Sequence, residues 1–151
     1  MQDIYVVGVG MTPFGKFREK SIKGMTHEAV TDALTDVGLS GEKIDGAFFS
    51  NAVQGHMEGQ HMIRGEIALR EMGIQGIPVV NVENACASAS TGFKLAVDFL
   101  KAGNGDCCLA VGAEKMYSDD RALMFSAFDS GWDVSNGEEV ARRLADLGTG
   151  V

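Results

Sequence analysis

Cys86 is the residue of this chain whose type and surroundings best fit nucleophilic chemistry. A run of strand formers precedes it, and apolar residues at helical spacing follow it, so a strand should end and a helix begin close to the thiol. These flanking residues are Val79, Val80 and Val82 before it and Phe93, Ala96, Val97 and Leu100 after it. A helix N-terminus presents unpaired N–H groups and partial positive charge, which favour a thiolate and can also hold an oxyanion.

The residues around Cys86 are small, which leaves room for an acyl group to approach the sulfur; they are Ala85, Ala87, Ser88 and Ala89. The alternative reading is purely structural, since cysteine is among the most frequently buried residue types and a small side chain at a strand-to-helix junction can simply pack. Position alone therefore leaves two hypotheses, a nucleophile and a packed core thiol.

The elements that would position Cys86 alternate along the chain. Strands are predicted over residues 4–9, 47–49, 79–82 and 107–111, and helices over residues 25–37, 60–72 and from just after Cys86 to Gly103. Strands that alternate with helices predict right-handed crossovers, so the expected fold class is α/β, with a mostly parallel sheet and helices on both faces. Ligands of such sheets bind beyond the carboxyl ends of the strands, which is where Cys86 lies.

Two regions are expected along the sequence. Residues 1–111 should form the α/β core that carries the nucleophile, and residues 112–151 a loop subdomain and the start of a further helix. The regular alternation stops at Gly112, and a long stretch without clear periodicity is often functional. Ser135 and Glu138 have the spacing of a capping box, which predicts that the last helix begins there.

Composition and charge exclude several classes of function. The chain has 151 residues, of which 45% are hydrophobic and 23% charged, as in ordinary globular domains, and its net charge of −8 disfavours nucleic acid as a partner. It shows no secretory signal, no apolar run long enough to span a membrane and no metal-ligand spacing. Three cysteines, two of them adjacent, indicate reduced thiols and a cytoplasmic protein rather than a disulfide framework. Gly8 and Gly10 begin a dinucleotide fingerprint that Pro13 breaks.

Four ordered stretches of this chain resemble the N-terminal part of the thiolase family, close to acetyl-CoA acetyltransferases and sterol-carrier-protein-type thiolases. They are Val7 to Gly15 with its Thr12-Pro13-Phe14-Gly15; Gly59-Gln60 with Arg64; Asn81 to Gly92 around Cys86; and Gly112-Ala113-Glu114-Lys115-Met116-Tyr117-Ser118. Ala89 stands beside Ser88 where the family commonly has a glycine. The resemblance implies a thiolase-like N-terminal half with the C-terminal half of the family absent, so the chain is expected to be part of a longer protein.

The resemblance also implies the reaction. Cys86 would attack the thioester carbonyl of an acyl-CoA, release CoA and carry the acyl group, for carbon–carbon bond formation or for thiolytic cleavage of a 3-ketoacyl-CoA. Coenzyme A thioester would be the substrate, with no permanently bound cofactor, and relatives form dimers or dimers of dimers through the strand before the cysteine. A ketoacyl-synthase-like condensing enzyme and a non-catalytic acyl-CoA-binding scaffold subunit remain as alternatives.

Other candidate residues divide into two groups. The family places its activating histidine and second cysteine outside this sequence, so His27, His56 and His61 are predicted to be surface or supporting residues rather than the catalytic base. The methionines and aromatic residues between Met116 and Trp132 either pack a loop subdomain or form a lid over the acyl group or an oligomer contact; the substrate-binding candidates among them are Met116, Met124 and Phe125.

Overall fold

The computed structural model describes residues 3–148. The chain divides into two compact units, of which the first reaches to Tyr117 and the second begins at Ser118. The strands are β1 (Gly46–Ser50), β2 (Val79–Val82) and β3 (Cys108–Gly112). The α-helices are α1 (Ile22–Val37), α2 (Gln54–Glu58), α3 (Arg64–Arg70), α4 (Ser88–Lys101), α5 (Arg121–Ser126) and α6 (Gly137–Asp146). Single 3-10 turns cover Gly41–Lys43, Ala85–Ala87, Ala127–Gly131 and Val134–Asn136.

The described strands form one parallel sheet in the order β2-β1-β3, with Ala47 opposite Val79 and Leu109 in the register. Side chains of the central strand alternate between two apolar layers, as period-2 geometry requires. Ala47 and Phe49 pack with residues of α1 and α3, whereas Phe48 packs with Val82 and with Ala96 of α4. The predicted α/β fold with helices on both faces of a parallel sheet is therefore confirmed.

The ends of α1 and α4 follow from local chemistry. Ser21 Oγ accepts a hydrogen bond from Gly24 N–H at 3.0 Å and so caps the start of α1. Gly38 ends that helix in the left-handed conformation, with a φ of 70°, and Gly103 adopts a φ of 74° just after α4. Both glycine stops agree with the sequence prediction.

The predicted strand over residues 4–9 is wrong. This segment forms no strand, and Val6, Val7 and Val9 are 65%, 58% and 68% exposed. It lies along α1 instead, so closely that a Cβ at Gly8 would be 2.4 Å from the Ala33 carbonyl oxygen. A cavity of about 630 Å³ is lined by this segment, by β3 and by residues of α1 and α4. A segment of strand-forming residues becomes a strand only when it pairs with the edge of a neighbouring strand. Here the segment and β3 line the same cavity and do not pair with each other.

The predicted helix over residues 60–72 begins later than expected. Gly59 ends the short α2 with a φ of 76°, and Ile63 then adopts the left-handed conformation with a φ of 48°. No side chain next to the start of α3 caps it, and Asn81 of β2 takes that role instead. Asn81 Oδ1 accepts a hydrogen bond from Gly65 N–H, in the first turn of α3, at 2.7 Å. A cap contributed by a distant residue leaves no local signal in the sequence.

The second unit differs from its prediction at one cap. The expected capping box of Ser135 and Glu138 is wrong, because α6 begins at Gly137 without a side-chain cap. Ser135 lies in a 3-10 turn, where its N–H and hydroxyl both donate to Asp133 Oδ1, at 3.0 and 2.6 Å. These two bonds favour the ionised carboxylate and lower the pKa of Asp133. Asp133 therefore takes both donors of Ser135 that the capping box would have used or left free.

Candidate active site

Cys86 lies at the strand-to-helix junction that the sequence predicts. β2 ends at Val82, the 3-10 turn Ala85–Ala87 follows, and α4 begins at Ser88. The Cys86 thiol is free, and the residue is exposed, as are its neighbours Ala85, Ala87 and Ala89. The purely structural reading of a packed core cysteine therefore does not describe this residue. A reagent can reach its sulfur from solvent.

The turn that carries Cys86 is strained at the preceding residue. Ala85 has a φ of 45°, in the left-handed region that residues with a Cβ rarely adopt. Its N–H donates to Glu83 Oε1 at 2.6 Å, and its carbonyl oxygen accepts from Ser88 Oγ at 2.7 Å. The same Ser88 oxygen accepts from Asn84 N–H at 2.8 Å. Both polar backbone groups of Ala85 are thus hydrogen-bonded to neighbouring residues in this conformation.

The start of α4 rests directly on the end of β1. Ser50 Oγ donates to the Ser88 carbonyl oxygen at 3.1 Å, and Ser50 and Ser88 are both buried. A Cβ at Gly92 would be only 2.4 Å from Ser50 Oγ, so only glycine permits this approach. The contact fixes the first turn of α4, and with it the turn of Cys86, against the central strand.

A polar network joins the carboxyl ends of β1 and β3. Asn51 Nδ2 donates to the Ala113 carbonyl oxygen at 2.6 Å and to Glu114 Oε1 at 2.9 Å, while Asn51 Oδ1 accepts from Arg64 at 2.8 Å. Glu114 Oε2 also accepts from Ala52 N–H at 2.8 Å. The network anchors the loop after β1 at the edge of the sheet beyond which Cys86 also lies.

Sequence reasoning missed the role of Asn51, although Arg64 and Glu114 belong to the stretches that carry the family resemblance. The available signal was its position directly after a buried strand, since the polar residues that follow parallel strands gather at one sheet edge. Its partners, which lie 13 and 63 positions away in sequence, could not be read from that position.

Cys107 and Cys108 differ from Cys86 in burial and in ionisation. Both are partly buried, and Cys108 Sγ donates to the Gly46 carbonyl oxygen at 3.1 Å. Burial raises the pKa of Cys107, to which the nearby Asp45 carboxylate adds. Burial, followed by the proximity of Cys107, raises the pKa of Cys108 to about 11. These two thiols are therefore poor nucleophiles at neutral pH.

The other candidate residues are distributed over both units. His27 is exposed on α1, and His56 and His61 are exposed in and after α2, which fits the surface positions predicted for them. Met116 is partly buried in the first unit. Met124 and Phe125 are neighbours on α5 of the second unit, where Met124 is partly buried and Phe125 is 62% exposed.

The described part of the chain contains neither a metal-binding cluster nor a membrane-spanning helix. Among residues 3–148, no three His, Cys, Asp or Glu side chains are grouped as a metal site would require. None of the helices formed by these residues is long and apolar enough to cross a membrane.

The fold agrees with a comparison against known proteins. Residues 4–144 match the model of the thiolase N-terminal domain, and the chain belongs to the thiolase family. The acetyl-CoA acetyltransferase of Methanocaldococcus jannaschii is 35% identical over 136 residues, which cover 89% of this chain and 34% of that protein. The non-specific lipid-transfer protein-like 2 of Caenorhabditis elegans is 36% identical and covers 95% of this chain and 37% of that protein. This chain thus spans about a third of the length of these relatives.

A solved structure shows the same fold at low sequence identity. The Acat5 thiolase of Ascaris suum, determined in complex with coenzyme A, superposes with a TM-score of 0.68 at 17% identity, over 79% of this chain and 33% of that one. The α/β architecture predicted from the sequence is therefore that of a thiolase.

Proposed function

We propose that the protein to which this chain belongs is a thiolase-type acyltransferase acting on acyl-CoA, and that Cys86 carries the acyl group. The observation that carries the proposal is an exposed free cysteine in a strained turn at the start of α4, in a chain of the thiolase family. An exposed thiol next to a helix N-terminus has both the access and the electrostatic setting that a nucleophile needs.

The first half-reaction follows from this setting. The Cys86 thiolate attacks the thioester carbonyl, a bond forms between Sγ and the acyl carbon, and the bond to the CoA sulfur breaks. The CoA thiolate leaves and takes up a proton. The Cys86 N–H, in the turn that leads into α4, is the group that we assign as donor to the developing oxyanion. A relative named acetyl-CoA acetyltransferase and a structural neighbour solved with coenzyme A support acyl-CoA as the substrate class.

The second half-reaction needs groups that we place outside this chain. Carbon–carbon bond formation requires a base that removes a proton from the α-carbon of a second acyl-CoA, and thiolytic cleavage is the reverse. His27, His56 and His61 are all exposed, and His27 lies on α1, which packs on the sheet face opposite to α4. We therefore expect this chain alone to complete the first step only.

The test separates the two steps. On incubation with acetyl-CoA, the 151-residue chain should release at most one equivalent of free CoA and then stop. Cys86→Ala should release none. Sustained formation of acetoacetyl-CoA would contradict the division of labour and would make one of the three histidines a base. A complete lack of CoA release by the full-length protein would contradict the acyl-enzyme itself.

A non-catalytic acyl-CoA carrier is the second candidate, because one relative is named a lipid-transfer-like protein. Such a carrier would bind acyl-CoA with normal affinity and leave Cys86 unmodified, so equilibrium binding without acylation of the full-length protein would favour it. A ketoacyl-synthase-like enzyme would acylate Cys86 but prefer a malonyl over an acetyl donor in the condensation step.

We also propose that Met116, Met124 and Phe125 contact the acyl chain. The exposed ring of Phe125 supports this, since 62% of its surface is open to solvent. In the full-length protein, Phe125→Ala should lower the preference for octanoyl-CoA over acetyl-CoA in the acylation step. Phe128, which is 58% exposed in the same unit, provides the control, and an equal effect of Phe128→Ala would contradict the assignment.

We further propose that the protein forms a homodimer that pairs through β2, or a dimer of such dimers. β2 is at the edge of the sheet, with Val80 42% exposed and neither proline nor charge within the strand. Sedimentation should show a dimer at micromolar concentration that Val80→Lys dissociates. A monomeric wild type, or a dimer unaffected by the lysine, would refute this pairing. Free thiols suit the cytoplasm, where we place the protein.

A further inference from the structure

Ser88 is the residue whose contacts best explain how the turn before α4 keeps its geometry. It is only 6% exposed, and its hydroxyl makes two hydrogen bonds to the backbone on the N-terminal side of Cys86. Oγ accepts from Asn84 N–H at 2.8 Å and donates to the Ala85 carbonyl oxygen at 2.7 Å. One side chain therefore ties together two successive residues just before the cysteine.

Ala85 has a backbone conformation that needs to be held in place by hydrogen bonds. For an L-residue with a Cβ, the left-handed conformation is disfavoured by roughly tenfold in population. Ala85 nevertheless holds a φ of 45°. Glu83 accepts a hydrogen bond from the Ala85 N–H, and the Ala85 carbonyl oxygen accepts from both the N–H and the hydroxyl of Ser88. Of these groups only the Ser88 hydroxyl also bonds Asn84 N–H, so it alone ties Ala85 to the residue before it. Water could occupy the same hydrogen-bonding positions but would impose no particular backbone angle.

We propose that Ser88 is a positioning residue for Cys86, acting by holding Ala85 in the left-handed conformation. The role rests on the proposed function, because it matters only if the Cys86 sulfur must be presented to a thioester. The serine contacts the backbone and not the substrate. Without its hydroxyl, Ala85 relaxes toward negative φ, and Cys86 is presented correctly in only a minor fraction of molecules.

The test compares rate constants for modification of Cys86 by two probes, iodoacetamide and acetyl-CoA. Ser88→Ala should slow both reactions by about tenfold, the population cost of the unsupported Ala85 conformation. Ser90→Ala is the matched control, because Ser90 also bonds back into this turn, its Oγ donating to the Ala87 carbonyl oxygen at 2.9 Å, without touching Ala85. It should change the rates by less than about twofold, as surface substitutions do.

The decisive variant is a rescue. Glycine adopts positive φ without penalty, so adding Ala85→Gly to Ser88→Ala should restore both rates to within about threefold of the wild type. If Ser88 only stabilised the helix or the core, Ala85→Gly would not compensate for the loss of its hydroxyl. Unchanged rates in Ser88→Ala, an equal loss in Ser90→Ala or a failure of the glycine to rescue would each overturn the proposal.

Folding and function are controlled separately. Urea unfolding of each variant shows whether the chain is native. If Ser88→Ala alone is unfolded, recovery of the native circular dichroism spectrum in the double variant supports the proposal. An unfolded double variant contradicts it. If acetyl-CoA fails to modify even the wild type but iodoacetamide shows the loss and the rescue, the proposed function fails and the role of Ser88 stands.

Discussion

Cys86 and the adjacent pair Cys107 and Cys108 lie at opposite ends of parallel strands. Cys86 follows the carboxyl end of β2, whereas Cys107 precedes and Cys108 begins the amino end of β3. The first is exposed on a turn that leads into a helix, and the others are partly buried and bonded into the sheet edge. The same residue type is thus exposed at one edge of the sheet and partly buried at the other.

The two edges differ because of what the backbone does there. At the amino edge, Asp45 Oδ2 accepts from Asp106 N–H at 2.8 Å and from Cys107 N–H at 3.0 Å. This carboxylate holds the backbone just before β3, and its negative charge disfavours a thiolate at Cys107. At the carboxyl edge, the chain leaves β2 through a left-handed residue and exposes the next side chain. The two ends of the parallel strands therefore differ in whether the cysteine is exposed or bonded into the sheet edge.

The largest expected effect is in thiol selectivity. At pH 7, only about one in ten thousand Cys108 thiols is ionised, because its pKa is about 11. Iodoacetamide should therefore modify exposed Cys86 at least about a hundredfold faster than Cys108, and well ahead of Cys107. Peptide mapping by mass spectrometry measures the labelling of each cysteine, and equal labelling of the three thiols would contradict the expected difference between the two edges of the sheet.

The next effect concerns the packing beneath the reactive turn. Gly92→Ala should lower the free energy of unfolding by about 1–2 kcal/mol, since overpacking against buried Ser50 outweighs the gain in helix propensity. Gly24→Ala in α1 is the matched control. Its Cβ would meet nothing nearer than Ser21 Oγ at 3.5 Å, so it should stabilise by about 0.5–1 kcal/mol. Urea denaturation gives both values, and the same sign for both variants would refute the packing argument.

Alanine at the two kinds of cysteine should have opposite consequences. Cys86→Ala should abolish fast labelling and change stability by less than about 0.5 kcal/mol, because the side chain is exposed. Cys108→Ala should leave labelling of Cys86 intact and destabilise by about 1 kcal/mol, through loss of the thiol that bonds the Gly46 carbonyl. Thermal unfolding and peptide mapping of the two variants together provide the check, and an unstable Cys86→Ala would assign that thiol a structural role.

The smallest effect should come from Asp45→Asn. The Cys107 N–H and, after it, the Asp106 N–H lower the pKa of Asp45, so the contribution of this carboxylate to stability is present above its unfolded pKa and is lost as the pH falls through the lowered folded value. The variant should melt below the wild type at pH 7, and the two melting temperatures should converge in acid. Cys107 should react only slightly faster, because burial and not Asp45 is the main cause of its raised pKa. A constant gap in melting temperature at all pH values would argue against this linkage.

Hydrophobic patterning predicted the positions of several strands and helices, because the period of apolar residues is a local property of the sequence. The strand over residues 79–82 and the end of α1 at Gly38 agree with the structure, and β3 is displaced by one residue. The segment over residues 4–9 failed because its valines have strand propensity but pair with no strand edge. Pairing depends on what the rest of the chain offers, which propensity does not report.

The junction at Cys86 could be predicted, but the way it is held could not. Small residues after a strand and before an amphipathic helix indicate a tight junction, whereas the left-handed Ala85 is an alanine where sequence rules favour glycine. The hydroxyl of Ser88 and the carboxylate of Glu83 both hydrogen-bond the backbone of this alanine. Contacts of this kind appear only when backbone angles and side-chain positions are known together.

The most direct test of the central claim is to locate the acetyl group after acetyl-CoA treatment of the unmodified chain. Peptide-resolved mass spectrometry should find an acetyl-sized mass increase on the peptide that contains Cys86, removable by hydroxylamine as a thioester is, and none on the peptide that contains Cys107 and Cys108. An acetyl group on the β3 cysteines with Cys86 unmodified would contradict the account.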